Sequence, residues 1–122
     1  MKRRWVVLAA IGGALAAGVP AMAGDLEFFT GETLYAACSA KPADADYASR
    51  HAHCGGYVLG VSDAQQAAQG AGGAGRVCLP ASASSIQLTQ SVGRYLETHP
   101  DKRKLAAQDL VLEALSADFP CK

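Results

Sequence analysis

The sequence predicts an all-α fold: a small four-helix, disulfide-bonded domain that follows a cleaved signal peptide. Three observations carry that prediction. Apolar residues recur at three- and four-residue steps in several segments, which is helical periodicity. No segment sustains the alternation expected of a half-buried strand for more than a few residues. Four cysteines, Cys38, Cys54, Cys78 and Cys121, lie downstream of an export leader, the usage expected of a small domain stapled in an oxidising compartment.

The leader is read from three parts in order. Met1-Lys2-Arg3-Arg4 is a basic start, Trp5 to Val19 is a small apolar run interrupted by glycines, and Ala21-Met22-Ala23 is an A-x-A cleavage site. Residues 1–23 are therefore expected to be removed, leaving the domain 24–122 in the periplasm. Arg3-Arg4 lacks the flanking residues of a twin-arginine signal, so the general export route is expected. Three of the eleven basic residues fall in the leader, which leaves eight against eleven acidic ones and a formal charge of −3 on the mature chain. A mildly acidic domain argues against nucleic acid as a partner, because phosphate binding needs clustered lysine and arginine.

The first helix is expected from Thr30, whose hydroxyl can accept from first-turn amides, with Phe29 and Leu34 at the staple positions; it runs to about Cys38. Pro42, Asp44 and Asp46 mark a loop and a second helix start. Tyr47, Cys54, Tyr57, Val58, Val61, Ala64 and Ala68 then recur at helical spacing, and Gly55, Gly56 and Gly60 within that helix are expected to let another helix approach closely. The glycine-rich stretch Gly70 to Gly75 ends the second helix as a flexible connector. Arg76 to Pro80 follows as a short extended stretch. Ser84-Ser85-Ile86-Gln87 has the form of a capping box, continued by Leu88, Val92, Tyr95 and Leu96. Pro100 fits the first position of a final helix, with Asp101 in its first turn and Ala107, Leu110, Val111, Ala114 and Leu115 on its apolar side.

Four cysteines allow three pairings, and sequence does not select among them. The preferred pairing is Cys38 with Cys54, tying the first helix to the second, and Cys78 with Cys121, clamping the later pair. On the chain-entropy model these contribute roughly 3 and about 4 kcal/mol. A zinc site would need close pairs such as C-x-x-C, which this chain lacks.

Several chemical-looking signals have plainer explanations. His51 and His53 point to nearly opposite sides of a helix and cannot share an ion; His99, before Pro100, shapes a turn. Gly70, Gly72 and Gly75 match G-x-G-x-x-G without the strand before and helix after that would give the match meaning. Lys102-Arg103-Lys104 reads as a solvated basic face, and Asp109 with Glu113 as an exposed acidic pair. No nucleophile pairs with a base, so no catalytic residue, cofactor or metal ligand is expected and the chain reads as a non-enzyme.

From Cys54-Gly55-Gly56-Tyr57-Val58-Leu59-Gly60-Val61-Ser62-Asp63-Ala64 onward the chain resembles the periplasmic immunity proteins of the Rap and Tai type. The resemblance continues through Val77-Cys78-Leu79-Pro80, Gln87-Leu88, Tyr95-Leu96, His99-Pro100, Leu110-Val111, Ala114-Leu115 and Phe119-Pro120-Cys121. It implies a helical, disulfide-bonded protein, often a homodimer, that neutralises a peptidoglycan amidase effector of type VI secretion. The matching positions look like scaffold, so they do not carry the inhibitory contacts. Candidate contacts are placed instead on the loop from Glu97 to Asp101, through Glu97, Thr98, His99 and Asp101, and on the connector Gly70 to Gly75. The Gly70 to Gly75 connector and Val77 depart from the family pattern. The competing class is a periplasmic acid-stress-type chaperone, equally small and helical, which would expose apolar surface as its carboxylates protonate.

Overall fold

In the computed structural model of the chain, residues 29–73 and 75–122 are described; the signal-peptide reading of residues 1–23 lies outside them. Four α-helices follow one another: α1, Gly31–Cys38; α2, Tyr47–Gly70; α3, Ser85–Thr98; and α4, Ala107–Asp118. Among the described residues the extended pairings are two isolated antiparallel bridges, Thr30 with Ala106 and Val77 with Pro120.

The local signals act as their chemistry dictates. Thr30 caps α1 by accepting from the Thr33 amide at 3.3 Å. Ser84 and Gln87 complete a reciprocal capping box, Gln87 N–H to Ser84 Oγ at 3.2 Å and Ser84 N–H to Gln87 Oε1 at 2.8 Å. At the end of α2 the Gly73 amide donates to the Ala68 carbonyl at 2.8 Å and the Gly72 amide to the Gln69 carbonyl at 3.0 Å. With Gly72 at φ 90°, this is a Schellman cap, so the first half of the glycine-rich connector is a helix stop of defined geometry rather than a free linker. The Gln69 side chain then donates to the Val77 carbonyl at 2.7 Å, fastening the far side of the connector back to α2.

All four helices contribute to one core: Leu34 from α1, Val58 from α2, Leu88, Val92 and Leu96 from α3, and Ala107, Leu110, Val111, Ala114 and Leu115 from α4, with Val77 between. Phe29 turns toward α2, its ring stacked on Tyr57 with centroids 4.6 Å apart. The disulfides are Cys38–Cys54, joining α1 to α2, and Cys78–Cys121, joining the connector to the segment after α4. Beside the first, the Arg50 guanidinium donates to the Ala36 carbonyl.

Two expectations are corrected. Pro100 does not begin the last helix: Pro100–Lys102 is a single 3-10 turn, and α4 starts at Ala107. The reason lies in α1, whose first amides have no partner within their own helix. The carbonyls of Arg103 and Leu105 accept from Glu32 and Gly31 at 2.7 and 2.8 Å, and Ala107 donates to the Phe29 carbonyl at 2.9 Å. Residues 103–105 are thereby held as a turn and a bend, and Ala106 as an isolated bridge to Thr30, against the start of α1, so the helix begins only at Ala107. The α2 glycines are also corrected, because a Cβ added at Gly55, Gly56 or Gly60 would meet nothing within 4 Å. Among the described residues no other helix packs directly on these three glycines. The buried positions of α2 are Cys54, Val58 and Ser62, while Ala64 and Ala68 are exposed.

Candidate partner-binding surface

Two surfaces stand out. The first is the corner where α3 gives way to the 3-10 turn. Glu97 and Thr98 prove to be the last residues of α3 rather than loop, because Thr98 Oγ1 bonds back to the Arg94 carbonyl at 2.9 Å and the helix runs through it. His99 is the C-cap, and Asp101 lies in the turn. Glu97, Thr98 and Asp101 are exposed; His99 is half-buried. The His99 ring stacks on Tyr95 at 4.1 Å, and its Nδ1 sits 2.8 Å from the Tyr95 carbonyl. A carbonyl only accepts, so Nδ1 carries a hydrogen here. With His99 and Thr98 occupied internally, the carboxylates of Glu97 and Asp101 are the groups this corner offers a partner.

The corner is rigid because the basic run beside it is not a solvated face. Lys102 Nζ donates to Glu113 at 2.7 Å and to the Tyr95 hydroxyl at 2.9 Å, and that hydroxyl donates to Glu113. Arg103 lies 3.4 Å over the Tyr35 ring and donates to the Leu96 carbonyl at 2.7 Å. Of the three basic residues, Lys104 alone is exposed. Glu113 likewise separates from Asp109, which stays exposed while Glu113 is half-buried. Sequence reading missed this cluster because Lys102 and Glu113 are eleven positions apart on different elements.

The cluster sets the local titration. The Lys102 ammonium, and after it the Tyr95 hydroxyl, hold the Glu113 carboxyl below the usual carboxylate range. The same bond to Glu113 pushes Lys102 up, while burial followed by the Glu113 bond pushes the Tyr95 phenol up. A carboxylate depressed in the folded state contributes stability above its unfolded pKa, about 4.3, and loses it as pH falls through the folded value. Glu113→Gln is therefore expected to lower the urea midpoint at pH 6, with the gap to the parent protein narrowing as pH falls below the unfolded carboxyl value of about 4.3. A gap that stays constant across this range would mean that Glu113 contributes through packing alone.

The second surface is an open groove of about 580 Å3 between α2 and α4, lined by Gly56, Tyr57, Gly60, Val61, Ala64 and Leu112 among others. Its floor takes Tyr57, Val61, Ala64 and Ala68 from the periodic set that predicts α2. The signal was present, since Gly56, Gly60, Ala64 and Ala68 stand four residues apart, but periodicity alone does not say whether a small-residue face is covered by its own chain. His51 and His53 lie elsewhere, both exposed, stacked on Tyr47 and packed on Phe29 respectively.

The profile of the Rap1a immunity proteins matches residues 30–121, from the Thr30 cap to the last disulfide cysteine. Comparison with curated proteins and with solved structures finds no match. With the match covering all four helices and both disulfides, the chain belongs to the Rap1a immunity protein family, whose members act by binding a partner effector.

Proposed function

We propose that this chain, after removal of residues 1–23, works in the periplasm as an immunity protein that binds and inhibits a peptidoglycan amidase effector delivered by type VI secretion. The observation that carries this reading is the family match across residues 30–121. Two disulfides and the absence of a membrane-spanning helix among the described residues are compatible with an exported protein. The contact we assign is the α3 corner, where Glu97 and Asp101 meet the partner and Thr98 and His99, bonded internally, shape the surface. Its backbone is held by Lys102 and Arg103, so little conformational freedom is lost on docking.

The test is calorimetric titration of the mature protein into any amidase encoded beside it, with hydrolysis of peptidoglycan followed in parallel. Inhibition at stoichiometric ratio is expected, and Glu97→Lys with Asp101→Lys is expected to weaken binding at least tenfold without moving the thermal midpoint. Binding unaffected by both substitutions would move the contact elsewhere on the surface. An amidase that neither binds nor is inhibited would end the amidase reading.

The groove between α2 and α4 is assigned to a second copy of the chain. Its small side chains at four-residue spacing form a strip flat enough for close backbone approach, and among the described residues no atom lies within 4 Å of a Cβ added at Gly56 or Gly60. Sedimentation at micromolar concentration is expected to show a dimer that Ala64→Arg converts to a monomer; a monomeric parent protein would refute the assignment.

A further inference from the structure

The two disulfides differ in a way that bears on their chemistry. Cys78 and Cys121 are both exposed, whereas Cys54 is 3 % exposed at the centre of the α1–α2 junction and Cys38 is half-buried. Exchange proceeds by attack of a thiolate on one sulfur while the other departs as a thiolate, so both the accessible sulfur and the leaving sulfur matter. At Cys38–Cys54 the more accessible residue is Cys38, and attack there expels Cys54 as a thiolate into a buried apolar site, where the charge is poorly solvated and departs badly. At Cys78–Cys121 either sulfur can be reached and either thiolate departs into solvent. Exposed Arg76 and Lys122 flank the pair in sequence, and nearby positive charge favours the thiolate.

We infer that Cys78–Cys121 is an exchangeable disulfide, open to the dithiol of a C-x-x-C oxidoreductase, and that Cys38–Cys54 is closed to it. A thiolate of the dithiol attacks one sulfur of the pair, forming a mixed disulfide and releasing the other cysteine, which takes a proton. The second thiol of the oxidoreductase resolves that intermediate, freeing the remaining cysteine. The oxidoreductase supplies two electrons and becomes a disulfide, and its two protons end on Cys78 and Cys121. Opening the bond unlinks the connector from the segment after α4. The connector is then held by buried Val77, by its bridge to Pro120, by the Cys78 amide on the Phe119 carbonyl at 2.9 Å and by Gln69.

The experiment uses the oxidised mature protein under native conditions, exposed to dithiothreitol for increasing times, quenched with an alkylating agent and mapped by peptide mass spectrometry. Cys78 and Cys121 are expected to be labelled at least tenfold faster than Cys38 and Cys54. Labelling of all four together, or of Cys38 first, would overturn the inference. A thioredoxin-fold oxidoreductase whose resolving cysteine is replaced by serine serves as the second probe. It is expected to be trapped as a mixed disulfide on Cys78 or Cys121, and failure to trap, or trapping on Cys38, would overturn the assigned partner class. Neither measurement depends on whether an amidase is bound.

Discussion

Gly31→Ala is expected to destabilise the protein by about 2–3 kcal/mol, the cost of forcing atoms into a site with no room. Gly31 is buried at the first position of α1, and a Cβ there would run into the end of the Leu110 side chain, the Arg103 carbonyl oxygen at 2.8 Å and the Arg103 Cα at 2.9 Å. Leu110 could turn aside. The Arg103 backbone cannot, because its carbonyl accepts the Glu32 amide and its guanidinium is pinned between Tyr35 and Leu96. The opposite sign is expected at Gly55, inside α2 with nothing within 4 Å of an added Cβ, where alanine should stabilise by about 0.5–1 kcal/mol. Urea denaturation of the two variants checks both signs together. A Gly31→Ala protein as stable as its parent would show that the α1 start is not packed as described.

Removing the first disulfide, as Cys38→Ala with Cys54→Ala, is expected to cost about 3 kcal/mol. The closed loop spans 16 residues, and the loss appears mainly as greater freedom of the unfolded chain. Arg50 still ties α2 to the Ala36 carbonyl and Leu34 and Val58 stay in the core, so the far-ultraviolet spectrum without denaturant should be unchanged. A small domain has about 5–15 kcal/mol in total, so the shift in urea midpoint will be large and easily measured. If the midpoint scarcely moves, the chain-entropy account fails for this bond.

The helices were legible where their signals are local. Thr30, the Ser84–Gln87 box and the spacing of Leu88, Val92 and Leu96 each act within a turn or two of chain, and the structure uses them as the sequence implies. The misreading of the last helix involves partners distant in sequence. Pro100 is a good first residue for a helix, but the carbonyls of Arg103 and Leu105 are drawn to α1, some seventy residues earlier. The same holds for the candidate surface: Glu97 and Asp101 could be named from their place near a turn, whereas the Lys102–Glu113–Tyr95 cluster that steadies them is assembled by the packing of α3 against α4. The α2 glycines show the converse, a real pattern assigned to a neighbour that the described residues do not supply.

The seam between residues 29–31 and 103–107 also dictates a timetable. An eight-residue helix has too few internal bonds to persist alone, and the groups that complete the start of α1 are made only after about a hundred residues have been synthesised. The earliest helix among the described residues is thus among the last to be secured. Such a polypeptide stays pliable while it emerges and locks when its final third arrives, a sequence of events suited to threading through a narrow translocation channel before folding.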